Sequence, residues 1–144
     1  MSKQNYANHK KYVIGYHFIT FTIVLLLFTI SIYNFYLTFN GTGEMRIAVM
    51  FLLISVLFFS IFFYSRIFAL KAQDRAIRAE ENFRCYLLTG KIFDSNVTLP
   101  QILALRFAPD DEFPELTNKA TAENLSSDDI KKLIKNWRAD NYRV

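Results

Sequence analysis

The side chains that could carry out chemistry are few and far apart in this sequence. Cys85 is the single cysteine, and His9 and His17 are the only two histidines. None of them has a base, an acid or a nucleophile at a spacing typical of catalysis, and no His/Cys/carboxylate cluster has the spacing of metal ligands. The sequence therefore predicts a non-enzymatic protein with no catalytic residue, no metal site and no cofactor. A lone cysteine also excludes an intrachain disulfide and suits a reducing compartment.

Three of the polar side chains in the apolar stretches, Asn34, Ser55 and Ser60, are the best candidates for a polar contact inside a membrane. They could contact a transported solute, or they could form a hydrogen bond between two helices, as small polar residues do in membranes. No Lys, Arg, Asp or Glu lies in residues 12–43 or 47–65, whereas solute and proton pathways usually need such groups. We therefore favour the interhelical contact.

Two stretches have the length and composition of transmembrane helices. Residues 18–37 and residues 47–65 each contain thirteen Phe, Ile, Leu or Val. About 20 apolar residues are needed to cross the hydrocarbon core. The other half of the chain is too short to bury two helices that are apolar on every side. We expect a transmembrane hairpin over residues 12–70, with membrane lipid as its surroundings.

The flanking charges predict which way the hairpin is inserted. Lys3, Lys10 and Lys11 precede the first span and four basic residues closely follow the second, while Glu44 balances Arg46 in the loop. Positive charge marks the cytoplasmic side of a membrane. The loop at residues 40–44 is therefore expected outside. Both termini, including an N-terminal segment at residues 1–11, are expected in the cytoplasm of a bacterium, with the hairpin in its inner membrane.

The second helix should continue beyond the membrane, because no Gly or Pro interrupts residues 44–89. Residues 71–89 are then a cytoplasmic extension that ends near Gly90. One face of the helix carries small side chains followed by two aromatic ones, which we call the alanine seam: Ala69, Ala72, Ala76, Ala79, Phe83 and Tyr86. The seam could dock another subunit, or the chain's own C-terminal helices could cover it.

Residues 90–144 are predicted to form a small cytoplasmic domain of three short helices. The first begins at the capping box Thr98-Leu99-Pro100-Gln101, the second covers residues 111–122, and Ser126 caps the third. The third helix should place Lys131, Lys135 and Arg138 on a basic face. That face is most simply solvated, and it lacks the interleaved aromatic residues that would indicate nucleic-acid binding. Neither nucleic acid nor a small-molecule substrate is expected as a partner.

The motif stretches of this chain resemble a known family. They are Gln4-Asn5-Tyr6-Ala7-Asn8-His9, the run from Ile67 to Asn82, Leu105-Arg106-Phe107-Ala108 and Lys135-Asn136-Trp137-Arg138-Ala139-Asp140. The family consists of uncharacterised small two-span proteins of bacterial inner membranes, some labelled automatically as transporter permeases. The resemblance runs along the whole chain and implies no catalytic or substrate-binding residue.

The sequence therefore predicts an all-α membrane protein, with a two-helix hairpin whose long second helix projects into the cytoplasm and leads to a three-helix domain. Its expected function is that of a non-enzymatic accessory or scaffolding subunit of a larger inner-membrane complex for protein translocation, respiration or transport. The expected partners are other inner-membrane subunits. The alternative function is a component of a transporter, or a small homo-oligomeric channel.

Overall fold

The computed structural model describes residues 4–9 and 12–140. Every regular element in these residues is helical, which confirms the predicted all-helical class. A π-helical turn, Gly15–Thr20, runs into α1 (Phe21–Phe39), and the other helices follow in order: α2 (Met45–Thr89), α3 (Leu99–Leu105), α4 (Phe113–Ala122) and α5 (Ser127–Leu133). The chain divides into two compact units. Tyr12–Ala69 forms the first unit, and residues 4–9 join residues 70–140 in the second.

The first unit is a helical hairpin that contains the two apolar stretches. Two helices, Gly15–Phe39 and Met45–Thr89, are long and apolar enough to cross a membrane. Only 11% of the most apolar window of each is buried within the protein, so most of the apolar surface faces outward. The helices reverse through Gly41 and Gly43, whose φ angles of 97° and 89° lie in the left-handed region that glycine adopts without strain.

Small side chains at seven-residue intervals hold the hairpin together. On α1 the buried positions are Val24, Ser31 and Thr38, and on α2 they include Ala48 and Ser55. Aromatic rings pack nearer the open end, where Phe28 stacks on Phe59 with ring centroids 5.3 Å apart. The seven-residue repeat is the pattern of two helices that pack along a common seam.

The second unit is a small helical domain built on the end of α2. Its core contains buried residues from α2, from the loop after it and from each of the three short helices: Cys85, Phe93, Val97, Ile102, Ala104, Leu105, Phe107, Ala108, Phe113, Leu116, Ala120, Ile130 and Ile134. Helix α2 ends at Thr89, and Gly90 follows with a φ of 73°. The end of α2 thus supplies part of the core that the short helices could not form alone.

The capping box is present as predicted, because Gln101 Oε1 accepts the backbone N–H of Thr98 at 2.8 Å. Two helix bounds differ from the prediction. Helix α4 starts at Phe113 rather than at residue 111, with Pro114 in its first turn. Helix α5 ends at Leu133, and the next residue, Ile134, is extended with a ψ of 119°. The hydrogen bonds that end α5 so early come from the side chain of Glu112, as described below.

Candidate functional site

The alanine seam is exposed along its whole length. All six of its residues are exposed, and the aromatic side chains at its far end retain 64% (Phe83) and 54% (Tyr86) of their accessible surface. The residues of α2 that the domain does bury are Ile77, Glu81 and Cys85. At 100° per residue these three point to the side of the helix opposite the seam. The chain's own short helices therefore cover the other face of α2 and leave the seam open.

An ion cluster around the buried side chains of Arg84 and Glu81 fixes which face of α2 meets the domain. The guanidinium of Arg84 lies 3.0 Å from Glu81 on the same helix and 2.6 Å from Asp110, and it donates to the carbonyl of Ala108 at 2.7 Å. It also lies over the ring of Phe113, 4.4 Å from the centroid. The side chains of Arg84 and Glu81 are only 11% and 8% exposed. Because Arg84 joins α2 to the residues around α3 and α4, it holds the seam outward.

The spacing of Glu80 and Arg84 would allow an i,i+4 ion pair, but Arg84 pairs with Glu81 instead. The reason is burial. Arg84 points toward the domain, where Glu81 also lies, while Glu80 is on the exposed side of α2. Arg138 adds a second cation to the same carboxylate, with its Nη1 atom 3.5 Å from Glu81 Oε1.

The predicted hydrogen bond from Asn34 to Ser55 or Ser60 does not form. The hydroxyl of Ser55 donates to the Leu52 carbonyl, and that of Ser60 donates to the Val56 carbonyl, each at 2.8 Å. Serine in a helix satisfies its hydroxyl in this way within its own turn. The side chain of Asn34 makes no hydrogen bond with any residue that the structure describes.

The register of the hairpin explains why Asn34 does not reach Ser60. Phe28 packs against Phe59 across the antiparallel pair. Six residues farther along α1, Asn34 is therefore level with about residue 53 of α2. Ser60 is about two helical turns away from that level, or roughly 10 Å along the axis. The sequence indicated which helices face each other, but not this vertical alignment.

The predicted basic face of Lys131, Lys135 and Arg138 is not a helix face. Only Lys131 lies in α5, because the helix ends at Leu133. The carboxylate of Glu112 accepts the backbone N–H groups of Lys135 at 2.9 Å and Asn136 at 3.0 Å, which turns the chain away from the helix. Arg138 then reaches the buried carboxylate of Glu81. The three cations therefore do not share one helix face.

Comparison with protein families places the whole sequence in one group. The model described as "Family of unknown function (DUF6526)" matches residues 1–144. The chain belongs to this family. No curated protein and no solved structure matches it.

In this DUF6526 protein, three of the motif stretches come together in the second unit. The ring of His9 lies 5.9 Å from that of Phe107 and 5.7 Å from that of Trp137, and Phe107 and Trp137 are 4.9 Å apart. The Asp140 backbone N–H donates to the Gln4 side chain at 2.8 Å. Residues 4–9, which the sequence left without a structural role, therefore pack on the domain formed by the other end of the chain.

A polar contact on the surface joins the same N-terminal segment to α5. The hydroxyl of Tyr6 donates to Asp128 at 2.7 Å, and Lys132 pairs with the same carboxylate at 2.8 Å. The hydrogen bonds from Lys132 and Tyr6 lower the pKa of Asp128, and the hydrogen bond to Asp128 raises the pKa of Tyr6. Lys3, Lys10 and Lys11, on which the predicted orientation partly depends, lie outside the described residues.

The only cysteine of this DUF6526 protein is buried at the edge of an open cleft. Cys85 is 4% exposed, and the Thr89 hydroxyl donates to its backbone carbonyl at 2.7 Å. The cleft has a volume of about 560 Å³ and is lined partly by the polar groups of Thr117 and Asn118. Within the described residues, no group of three or more His, Cys, Asp or Glu side chains could hold a metal ion.

Proposed function

We propose that this chain is a non-enzymatic accessory or scaffolding subunit of a larger protein complex in a bacterial inner membrane. The observation that carries the proposal is the open alanine seam. It is an apolar helix face opposite the face that the chain's own domain covers. Apolar side chains of the size of Phe83 and Tyr86 usually find a partner, because aromatic residues supply much of the energy of protein contacts.

Membrane insertion of the hairpin is the first part of this proposal. Two helices of sufficient length and hydropathy expose most of their apolar surface. A helix that is apolar on every side needs hydrocarbon or another helix around it. Lipid and neighbouring subunits are the surroundings that such a hairpin fits.

Placing both termini in the cytoplasm is the second part. Residues 4–9 contact the domain at Phe107, Asp128 and Trp137, so the two ends of a membrane-spanning hairpin would lie on one side. The basic residues that follow the second span favour the cytoplasmic side. In the loop, the single cation Arg46 is 3.8 Å from Glu44, which leaves little net positive charge there.

Cysteine labelling tests this orientation. Thr42→Cys places a thiol in the loop, and Lys119→Cys places one on an exposed position of α4. A membrane-impermeant maleimide added to intact cells should label the first variant at once and the second only after the cells are permeabilised. The reverse pattern would contradict the proposed orientation.

Native mass tests the accessory role. We expect the protein extracted from its own membranes in mild detergent to migrate in a native gel as part of a larger assembly, with other subunits identified by mass spectrometry. Phe83→Glu should reduce the size of this assembly, whereas Arg78→Glu, at an exposed position of the same helix, should not. Migration as a lone 16.9 kDa chain would refute the accessory role.

Transport is the second candidate function, as a component of a transporter or a small homo-oligomeric channel. The amide of Asn34, which has no hydrogen-bond partner among the described residues, favours it, since polar groups in membranes are costly unless they are used or paired. Solute or ion flux into liposomes that contain the purified protein would support it, provided that Asn34→Leu abolishes the flux. Flux equal to that of empty liposomes would exclude a channel formed by this chain alone.

A further inference from the structure

We propose that the alanine seam joins two copies of this chain, whose α2 helices pack side by side and in parallel. This inference rests on the proposed membrane topology and names the partner at the seam. The seam is an uninterrupted helix face with steps of three and four residues, which is the spacing at which two parallel helices meet in a coiled coil. It ends in Phe83 and Tyr86, which are both more than half exposed.

The membrane fixes the direction in which two such helices can meet. Every copy of the chain is inserted with the same orientation, and α2 is one continuous helix from Met45 to Thr89. The α2 helices of two neighbouring copies must therefore run in the same direction. A parallel pair is the only arrangement that a second copy in the same membrane can offer.

The charges beside the seam fit this parallel pair. Arg75 and Asn82 lie along one edge of the seam, and Gln73 and Glu80 lie along the other. In a parallel coiled coil, a residue on the first edge meets the residue five positions later on the second edge of the partner helix. Arg75 of each copy thus meets Glu80 of the other, and the twofold symmetry of a dimer forms this contact twice.

Arg75 and Glu80 have no competing role in the described chain. Both side chains are exposed, and neither forms an ion pair with another residue that the structure describes. If the two helices ran in opposite directions, Arg75 of one copy would meet the same edge of the other copy. That edge holds Arg75 and Asn82 and has no acidic side chain. The charge pattern therefore favours a second copy in the orientation that a shared membrane requires.

The size of the seam residues fits the same arrangement. Alanines allow two helix axes to approach closely, and the aromatic side chains of Phe83 and Tyr86 can each bury roughly 150–250 Å². The domain does not obstruct the contact, because it covers the opposite face of α2 at Ile77, Glu81 and Cys85. Two complete domains can thus flank one central pair of helices.

Disulfide crosslinking in native membranes tests the dimer. Ala76→Cys places a thiol on the seam, where the facing residues of parallel helices are about 6 Å apart, within the range of a disulfide. Mild oxidation should give a band at twice 16.9 kDa on a non-reducing gel. The matched control Arg78→Cys is exposed on the same helix but outside the seam, and it should stay monomeric. The native Cys85 is buried and present in both variants.

A charge exchange tests the predicted register. Arg75→Glu and Glu80→Arg should each lower the crosslinked fraction of Ala76→Cys, with a roughly 2- to 10-fold weaker dimer because a like-charged contact replaces an opposite one twice. The double variant should restore crosslinking, because each pair is then opposite again. Failure of restoration would refute the parallel register.

The outcomes separate this inference from the proposed function. If Ala76→Cys crosslinks to a different protein, or does not crosslink while the native assembly stays large, the dimer is refuted and the accessory role stands. If it crosslinks as a homodimer and no larger assembly exists, the dimer stands and the accessory role is refuted.

Discussion

Replacement of Arg84 by methionine should destabilise the second unit more than any exposed charge substitution. Methionine keeps much of the length of the arginine side chain but removes the guanidinium. The buried Glu81 carboxylate then loses its 3.0 Å partner, and the Ala108 carbonyl loses the hydrogen bond from Nη2. The stacking over Phe113 is lost as well. Asp110 is 69% exposed and can be solvated by water, so its lost contact should contribute little.

The expected size of the effect follows from burial. Removal of one partner of a buried ion pair costs about 3–5 kcal/mol, because the remaining charge is left desolvated. Arg138 still reaches Glu81, which moderates the loss. We therefore expect Arg84→Met to lower the free energy of unfolding by about 3 kcal/mol. Glu81→Met combined with Arg84→Met should lower it by less than the single substitution, since no lone charge then remains in the core.

The single tryptophan provides the assay. Trp137 packs against Phe107 and His9 in the second unit, so its fluorescence reports the folding of that unit in the full-length protein. Urea titrations in detergent micelles would give the free energies of the four variants of a double-mutant cycle.

Arg78→Met is the matched control, because Arg78 is an exposed cation on the same helix. It should change the free energy of unfolding by no more than about 0.5 kcal/mol. The reasoning is refuted if Arg84→Met costs less than about 1 kcal/mol, or if the double variant is at least as unstable as the sum of the two single ones.

Three further changes test other contacts. Tyr6→Phe removes a hydrogen bond that helps to lower the pKa of Asp128, and the stability that this bond contributes is lost as pH falls. The free energy of unfolding, measured by Trp137 fluorescence, should therefore be lower for the variant than for the native protein at pH 7, and the two values should converge below about pH 3. Glu112→Ala frees the backbone after α5 and should speed tryptic cleavage after residue 135 several-fold, whereas Glu115→Ala should not. Ala48 is 1% exposed in the hairpin, so Ala48→Leu should overfill this position and lower the stability of the hairpin by about 1–3 kcal/mol. It should therefore slow disulfide formation between cysteines placed at residues 28 and 59. The control Val49→Leu, at a position that is 37% exposed, should not.

The elements that the sequence predicted best are those set by local physical chemistry. The two apolar stretches, the glycine that follows α2 and the Thr98–Gln101 capping box each depend on neighbouring residues. The composition of about 20 consecutive residues identifies an apolar stretch, and two residues three positions apart identify the capping box. The all-helical class followed from these features.

The features that the sequence did not predict depend on contacts between distant residues. Helix α5 stops at Leu133 because Glu112, 23 residues before Lys135, captures the next backbone N–H groups. The N-terminal segment has no helical or strand periodicity, and its place on the domain follows from rings more than 90 residues away in the chain. Local patterns contain no information on such pairings, so the sequence alone predicts a basic helix face that does not form and gives no contact for residues 4–9.

The contact between the two ends of the chain also constrains how a membrane-inserted form can fold. His9 packs on Phe107 and Trp137, so the second unit is complete only when residues from before the first apolar helix meet residues from after the second. Because the whole hairpin, Tyr12–Ala69, is synthesised between these two parts, the final packing must wait until both helices exist. A chain in which only one of the two apolar helices crossed a membrane would have its ends on opposite sides and could not form this contact. The aromatic cluster thus requires that both ends of an inserted hairpin lie on the same side of the membrane, whichever side that is.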